Sequence, residues 1–229
     1  MPTVLFDLFD TLVHLKQPDR PAQQAFADKL GLELEAVRAW WKTNVRRRMV
    51  GFYPTYAATV ESICTDLGSS VAESVRHEIC QQRDRDRTES LHAVEARVLE
   101  MLAQLRQSGW QIGVVSNATP DEVAPWSTGP LSACVDDAVF SCDVGCMKPE
   151  PEIYELACKR FGIALSAARF VGDGGFDELQ GAAALGIPVI KANWFRVKQD
   201  VAWSSESPLI EVDDVRLVPQ TLESTLESL

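Results

Sequence analysis

The strongest constraint on the fold is a recurrence of short, nearly all-apolar runs that each stop at a polar or glycine-rich cluster. Thr3 to Phe6 stops at Asp7, and Gln111 to Val115 stops at Ser116 and Asn117. Ala138 to Phe140 leads towards Lys148, Phe170 and Val171 stop at Gly172 and Asp173, and Pro188 to Ile190 follows. Runs this short, bounded by polar residues and rich in β-branched and aromatic side chains, read as buried strands. Between them the apolar residues take helical spacing. Val94, Val98, Met101, Leu102 and Leu105 share one face ahead of Gly109. Pro151 to Phe161 and Asp177 to Leu185 read as helices closed by Gly162 and Gly186. Strands with no polar face, alternating with helices, form a mostly parallel sheet covered on both sides. The expected fold class is therefore α/β, a doubly wound, mostly parallel sheet, with Leu209 to Val212 as a possible last strand.

From Lys16 to Ser90 the pattern changes. No run reads as a strand, and Phe26, Leu30, Val37, Trp40, Trp41, Val45, Val60, Ile63 and Leu67 keep helical spacing. The expected organisation is an α/β core over residues 1–15 and 91–229, interrupted by an all-helical cap over residues 16–90 that sits above the strand ends.

Composition narrows the partners. With 46% hydrophobic residues in 229, the chain can fill an interior. A net charge of −11 repels nucleic acid and anionic membranes, so a small-molecule substrate is expected and neither of those partners is. Asp7 and Asp10 interrupt the first apolar stretch and no basic segment precedes it, so no signal peptide or membrane span is expected there. The six cysteines include no CxxC pair, as free thiols in a reducing compartment would, and a cytoplasmic protein is expected.

The polar clusters all fall just past strand ends, where ligands bind in open α/β sheets. They are DLFDTL from Asp7 to Leu12, VVSNAT with Ser116 and Asn117, GCMKPEPEIY with Lys148, and VGDGGFDELQGAAALG with Asp173, Asp177 and Glu178. Taken singly, each has a plain structural explanation: a strand-end aspartate caps a helix or turn, and a Ser-Asn pair makes a turn. Together and in this order they resemble the motif set of the haloacid dehalogenase superfamily, across roughly residues 3 to 190. The segment RRRMVGFYPTYAATVESI is more loosely similar to the helical cap of its dehalogenase-like branch.

The resemblance implies a Rossmann-like core and a hydrolase in which Asp7 is the covalent nucleophile, splitting hydrolysis into two easier steps. It implies Mg²⁺ held by Asp7, Asp173, Asp177 and the backbone carbonyl of Phe9, with Glu178 as the alternative to Asp177. Lys148, Ser116 and Asn117 would bind and neutralise a phosphoryl group, and Thr11 would orient the nucleophile loop. Lys148, Ser116 and Thr11 are thus the expected catalytic partners of Asp7.

One position departs from the phosphatase pattern. Phosphatases of the superfamily carry a second aspartate two places after the nucleophile to protonate the leaving oxygen, and here that place holds Phe9. General acid catalysis of this kind contributes about 10²–10⁴-fold, so ordinary alkyl phosphates are expected to be poor substrates. Asp10, expected to stabilise the loop, and His14 or a cap residue are the other candidates for an acid. Arg46, Arg47 and Arg48 are cap candidates for an anionic substrate group, against the simpler expectation of a solvated face. The leading expectation is a magnesium-dependent phosphohydrolase acting on a substrate with a good leaving group. The alternatives are a 2-haloacid dehalogenase, whose halide leaves unprotonated, and a weakly catalytic binding protein on the same fold.

Overall fold

A computed structural model describes residues 1–15, 20–195, 203 and 209–227. Lys16, where the insertion is expected to begin, lies outside the described residues. After β1 (Thr3–Phe6) come the helices α1 (Arg20–Lys29), α2 (Leu34–Thr43), α3 (Val45–Met49), α4 (Tyr56–Leu67) and α5 (Glu73–His92). The chain then alternates through α6 (Ala96–Gln107), β2 (Gln111–Ser116), α7 (Pro120–Val123), β3 (Asp137–Phe140), α8 (Ser141–Val144) and α9 (Pro151–Phe161). It closes with β4 (Ala168–Gly172), α10 (Glu178–Ala184), β5 (Val189–Ala192), β6 (Ile210–Val212) and α11 (Val218–Glu227).

The strands form one six-stranded parallel sheet in the order β3-β2-β1-β4-β5-β6. The connections run outward from β1 through β2 to β3, then return to the other side of β1 at β4. That reversal opens a crevice at the C-terminal ends of β1 and β4, the place where such sheets bind ligands. Phe6 sits opposite both Val114 and Val171, and the Asp7 N–H still donates to Val171 O at 2.8 Å. Asp7 is therefore held by the ladder one residue beyond the strand.

Both faces are covered, which is why the strands read as continuous apolar runs. Val4, Phe6, Ile112 and Val114 point to one side and pack with Val98, Met101, Leu102 and Leu105 of α6 and with Val218 and Leu222 of α11. Leu5, Val115, Val139 and Phe170 point to the other, against Ile153, Tyr154 and Ala157 of α9 and Leu179 and Ala182 of α10. Each such fully buried side chain contributes about 1.5–3 kcal/mol relative to exposure. The Rossmann-like, doubly wound core is thus present, and β6 continues the sheet in parallel with β5.

The helical insertion has a core of its own. Leu30, Trp40, Tyr53, Val60, Ile63, Cys64 and Ile79 are buried together, with Phe26, Trp41 and Leu67 packed at their edge. Thr55 caps α4 by accepting from Ala58 N–H at 3.1 Å, and Gly68 ends it in the left-handed conformation. Among the described residues no helix is long and apolar enough to cross a membrane.

Gly113, in β2, lies under Phe161 of α9: a β-carbon there would lie 2.6 Å from Phe161 Cε2 and 2.8 Å from Leu5 Cδ2. Gly113→Ala is expected to lower stability by about 1–3 kcal/mol through overpacking. A urea denaturation midpoint equal to that of the unsubstituted chain would contradict this.

Candidate active site

Asp7 lies at the crevice, buried, with each carboxylate oxygen engaged. Lys148 Nζ donates to Asp7 Oδ1 at 2.5 Å, and Thr11 Oγ1 donates to Asp7 Oδ2 at 3.4 Å. The same ammonium donates to Glu178 Oε2 at 2.5 Å. Lys148 is 1% exposed and comes from the loop between α8 and α9, so its charge is compensated entirely from within the protein. Ser116 is fully buried at the end of β2, and the Asn117 side chain is bonded to the Lys148 backbone on both sides. The structure brings Asp7, Thr11, Lys148 and Asn117 together by direct hydrogen bonds.

The close-set carboxylates include Glu178, the alternative to Asp177, and not Asp177 itself. Oxygens of Asp7, Asp173 and Glu178 lie within 4.8 Å of one another, whereas Asp177 is exposed and outside the group. The cause is local. Phe176 (φ 54°) and Asp177 (φ 55°) both sit in the left-handed region, so α10 begins at Glu178 rather than at Asp177 as the apolar periodicity suggests. The turn directs the Glu178 carboxylate back under the loop, where Oε1 accepts from Gly174 N–H at 3.0 Å. Gly172 makes room for it, since a β-carbon there would overlap Glu178 Oε1. Tyr154 Oη donates to the Glu178 backbone carbonyl at 2.7 Å and fixes the start of the helix.

One ammonium among three carboxylates leaves the site with excess negative charge. Burial pushes the Asp7 carboxyl up; Lys148 opposes this and Asp173 adds to it. Glu178 is pushed up to about 8, first by burial and then by Asp7 and Asp173. Burial works against the Lys148 ammonium, but Asp7 and Glu178 outweigh it and raise its pKa. The cluster therefore takes up either a proton or a cation. Its all-oxygen donor set and close spacing suit a hard divalent ion such as Mg²⁺, which Asp7, Asp173 and Glu178 would hold.

The remaining candidates fall into place around this centre. Phe9 packs its ring against the apolar core. Asp10 Oδ1 accepts from Leu15 N–H at 3.1 Å and lies 3.0 Å from His14 Nδ1, so its carboxylate is bound within the loop. His14 is half exposed and stacks on Phe195 with ring centroids 5.6 Å apart. Of the cap arginines, Arg46 pairs with Glu150 on the core, Arg47 lies over Phe52 and Arg48 over Trp41.

Sequence reasoning missed the contacts that seat the cap on the catalytic loops. Arg83 of α5 donates to Asp121 at 2.7 Å and to Glu122 at 3.0 Å. Glu122 closes a capping box with Thr119, two residues after Asn117. Ser141 donates to Met49 O at 2.6 Å while accepting from Ala118 N–H at 3.0 Å. The capping-box spacing T-P-D-E was legible, but nothing in the sequence pairs it with an arginine 38 residues earlier.

The raised pKa of Glu178 has a consequence for stability. Between its ordinary value near 4.5 and about 8, the folded chain keeps a proton that the unfolded chain releases. Without divalent metal, stability should fall as pH rises through that window, and Glu178→Gln should flatten the decline. Urea denaturation in EDTA across the window tests this, and an equally steep decline in the variant would reject the assignment.

Comparison with known proteins agrees with this architecture. Residues 1–186 match the model of haloacid dehalogenase-like hydrolases. The chain is 25% identical to an (S)-2-haloacid dehalogenase of Pseudomonas sp. (strain YL), over 96% of this chain and 94% of that protein. It is 24% identical to a phosphoserine phosphatase of Thermus thermophilus, over 95% of this chain and 98% of that one. The solved structure of a 2-haloacid dehalogenase from Pseudomonas syringae pv. Tomato superposes with a TM-score of 0.66 at 24% identity, covering 98% of this chain and 99% of that one. With the family model spanning most of the chain and an acidic catalytic cluster at the crevice, this protein belongs to the haloacid dehalogenase-like hydrolases.

Proposed function

We propose that the chain is a 2-haloacid dehalogenase-like hydrolase in which Asp7 displaces halide from a small 2-halo acid. The observation that carries this is the residue two places after the nucleophile. It is Phe9, and the neighbouring acid Asp10 is tied to Leu15 N–H and His14. A halide departs with its bonding electrons and needs no proton, so the missing acid is no obstacle to that leaving group. Three relatives, matched over 94%, 81% and 83% of their own length, are (S)-2-haloacid dehalogenases by name.

In this reading an Asp7 oxygen attacks C2 of the substrate, the carbon–halogen bond breaks and the halide leaves. Lys148 and Thr11 each donate to one oxygen of the Asp7 carboxylate and so restrict its orientation for the attack. Water then adds to the Asp7 acyl carbon and frees a 2-hydroxy acid. One water is consumed, and one halide and one proton are released.

A second reading, a phosphohydrolase for a small metabolite with a good leaving group such as an acyl phosphate, is favoured by the Asp7, Asp173 and Glu178 cluster. Bound there, Mg²⁺ would offset the charge of a phosphoryl group facing an anionic nucleophile. Ser116, Asn117 and Lys148 would then be the phosphoryl-binding side chains, with the Phe9 carbonyl a further oxygen ligand for the metal.

Halide release from both enantiomers of 2-chloropropionate, and phosphate release from acetyl phosphate, separate the two when each is run in EDTA and in Mg²⁺. Dehalogenation predicts halide release that survives EDTA. Phosphate release confined to Mg²⁺, with no halide from either enantiomer, would overturn it in favour of the second reading. Under either reading Asp7→Asn should lower turnover by at least about 10³-fold. During a single dehalogenation turnover in ¹⁸O-water, label should enter the Asp7 carboxylate rather than the product, and label in the product alone would exclude the covalent route.

A further inference from the structure

Thr11 sits in the tight turn that follows Asp7, where Leu12 and Val13 N–H both donate to Leu8 O and Asp10 N–H donates to Val13 O. Asp10 takes a left-handed φ of 58° there, so the turn belongs to neither helix nor sheet. The Thr11 carbonyl is left to find a donor elsewhere, because buried backbone groups require partners. Thr11 is fully buried, and its carbonyl oxygen accepts from Trp194 Nε1 at 2.9 Å. An indole suits that place: it is a large apolar ring with one donor at its edge and no acceptor. The Trp194 ring lies in the core cluster with Leu8, Leu12 and Val13 while its N–H reaches the loop.

Trp194 is itself placed by the sheet. Asn193 separates it from β5 and continues the ladder, its N–H donating to Val212 O at 2.9 Å. The next residue, Phe195, stacks on His14, which is bonded to Asp10 Oδ1. Arg97 of α6 lies over the Phe195 ring, its guanidinium carbon 5.5 Å from the centroid, and donates to Trp194 O at 3.5 Å. The segment after β5 therefore grips the Asp7 loop at Thr11 and at His14, from 183 positions further along the chain in the case of Thr11.

We propose that Trp194 is a positioning residue that acts on Asp7 through Thr11. This rests on the reading of Asp7 as the attacking group, which both functional readings share. The torsion that turns an aspartate carboxylate about its Cβ–Cγ bond is broad, so hydrogen bonds set the plane of the attacking oxygens. Thr11 Oγ1 supplies one of those bonds, donating to Asp7 Oδ2 at 3.4 Å. A threonine is stiff at χ1, so where its hydroxyl points follows from where its backbone is held. Trp194 holds that backbone at the carbonyl. Without the indole donor the buried carbonyl loses its partner, the turn relaxes and the hydroxyl drifts from Oδ2.

The kinetic test removes the donor and keeps the ring. In Trp194→Phe, and in a chain carrying benzothienylalanine at position 194, where sulfur replaces the indole N–H, the aromatic body remains and the hydrogen bond does not. Each should lower kcat for halide release from 2-chloropropionate by about tenfold and change KM by less than about twofold. In a Thr11→Val background, which lacks the hydroxyl, neither should add to the loss, because the group Trp194 acts through is gone. An unchanged kcat with benzothienylalanine, a raised KM with kcat retained, or a loss that persists in full in the Thr11→Val background would overturn the proposal. Should the chain release only phosphate, the same comparison is made with acetyl phosphate and Mg²⁺.

A second measurement needs no substrate. In protein labelled with ¹⁵N-valine, the Val13 amide, bonded to Leu8 O inside the turn, should exchange slowly with solvent and speed up by about tenfold when benzothienylalanine stands at position 194. Val114, in β2, reports whether the sheet is intact and should not change. A Val13 amide as slow as before, or Val13 and Val114 faster by the same factor, would overturn the clamp and leave Trp194 a core residue. If the chain releases neither halide nor phosphate, both functional readings fail while the valine amides still decide whether Trp194 holds the Thr11 turn.

Discussion

The interaction on which the rest depends is the ammonium of Lys148 between the carboxylates of Asp7 and Glu178. A buried charge is tolerated when geometry and hydrogen bonds offset its lost hydration, and removing one partner from such a group leaves another charge uncompensated. Here the partners come from three separate parts of the chain: the end of β1, the loop before α9 and the first residue of α10. Gly172, the kink at Phe176 and Asp177, the Tyr154 hydroxyl and the Asn117 amide each serve to deliver one of these groups to the same point. The sheet order places β1 beside β4, so Asp7 and Glu178 can meet at all.

Much of this was legible in the residues because strands buried on both faces have an unambiguous signature. Asp7, Ser116, Lys148 and Asp173 could be assigned to one edge from the places where apolar runs stop. The choice between Asp177 and its alternative Glu178 could not be made from the residues. Helical periodicity fixes which residues share a face, but not whether a left-handed turn delays the helix by one residue. The delay leaves Leu179 and Ala182 on the buried face but takes Asp177 out of the first turn. Two consecutive non-glycine residues at positive φ are unusual, and no propensity rule anticipates them. The bonds from Asn117 to the Lys148 backbone were obscured for another reason: a Ser-Asn pair after a strand is equally suited to ligand contact and to bonding a distant backbone, and spacing does not distinguish the two.

The two functional readings differ over what departs, not over what attacks. Phe9 withholds a proton donor while the acidic cluster offers a seat for a cation, and Lys148 is common to both. The cap bears on the same centre through the core loops, since Arg83 holds the capping box that follows Asn117 and Ser141 joins Met49 to Ala118. A movement of the cap would therefore be felt at the end of β2, next to the residue that anchors Lys148.

The separation of Asp7 from Lys148 by 141 positions has a bearing on how the molecule comes into being. Asp7 emerges early during synthesis, but its position in the middle of the sheet requires β2 on one side and β4 on the other, and the cap intervenes before either is made. Pairings between such distant segments carry a loop-closure cost that local structure cannot offset, and they form slowly. A nascent chain thus leaves Asp7 without its ladder partner and without Glu178 beside Lys148 until β4 and the start of α10 arrive. If Asp7 is the attacking group, as proposed, the event that completes the fold also assembles its surroundings, and an incomplete chain carries the residue without them.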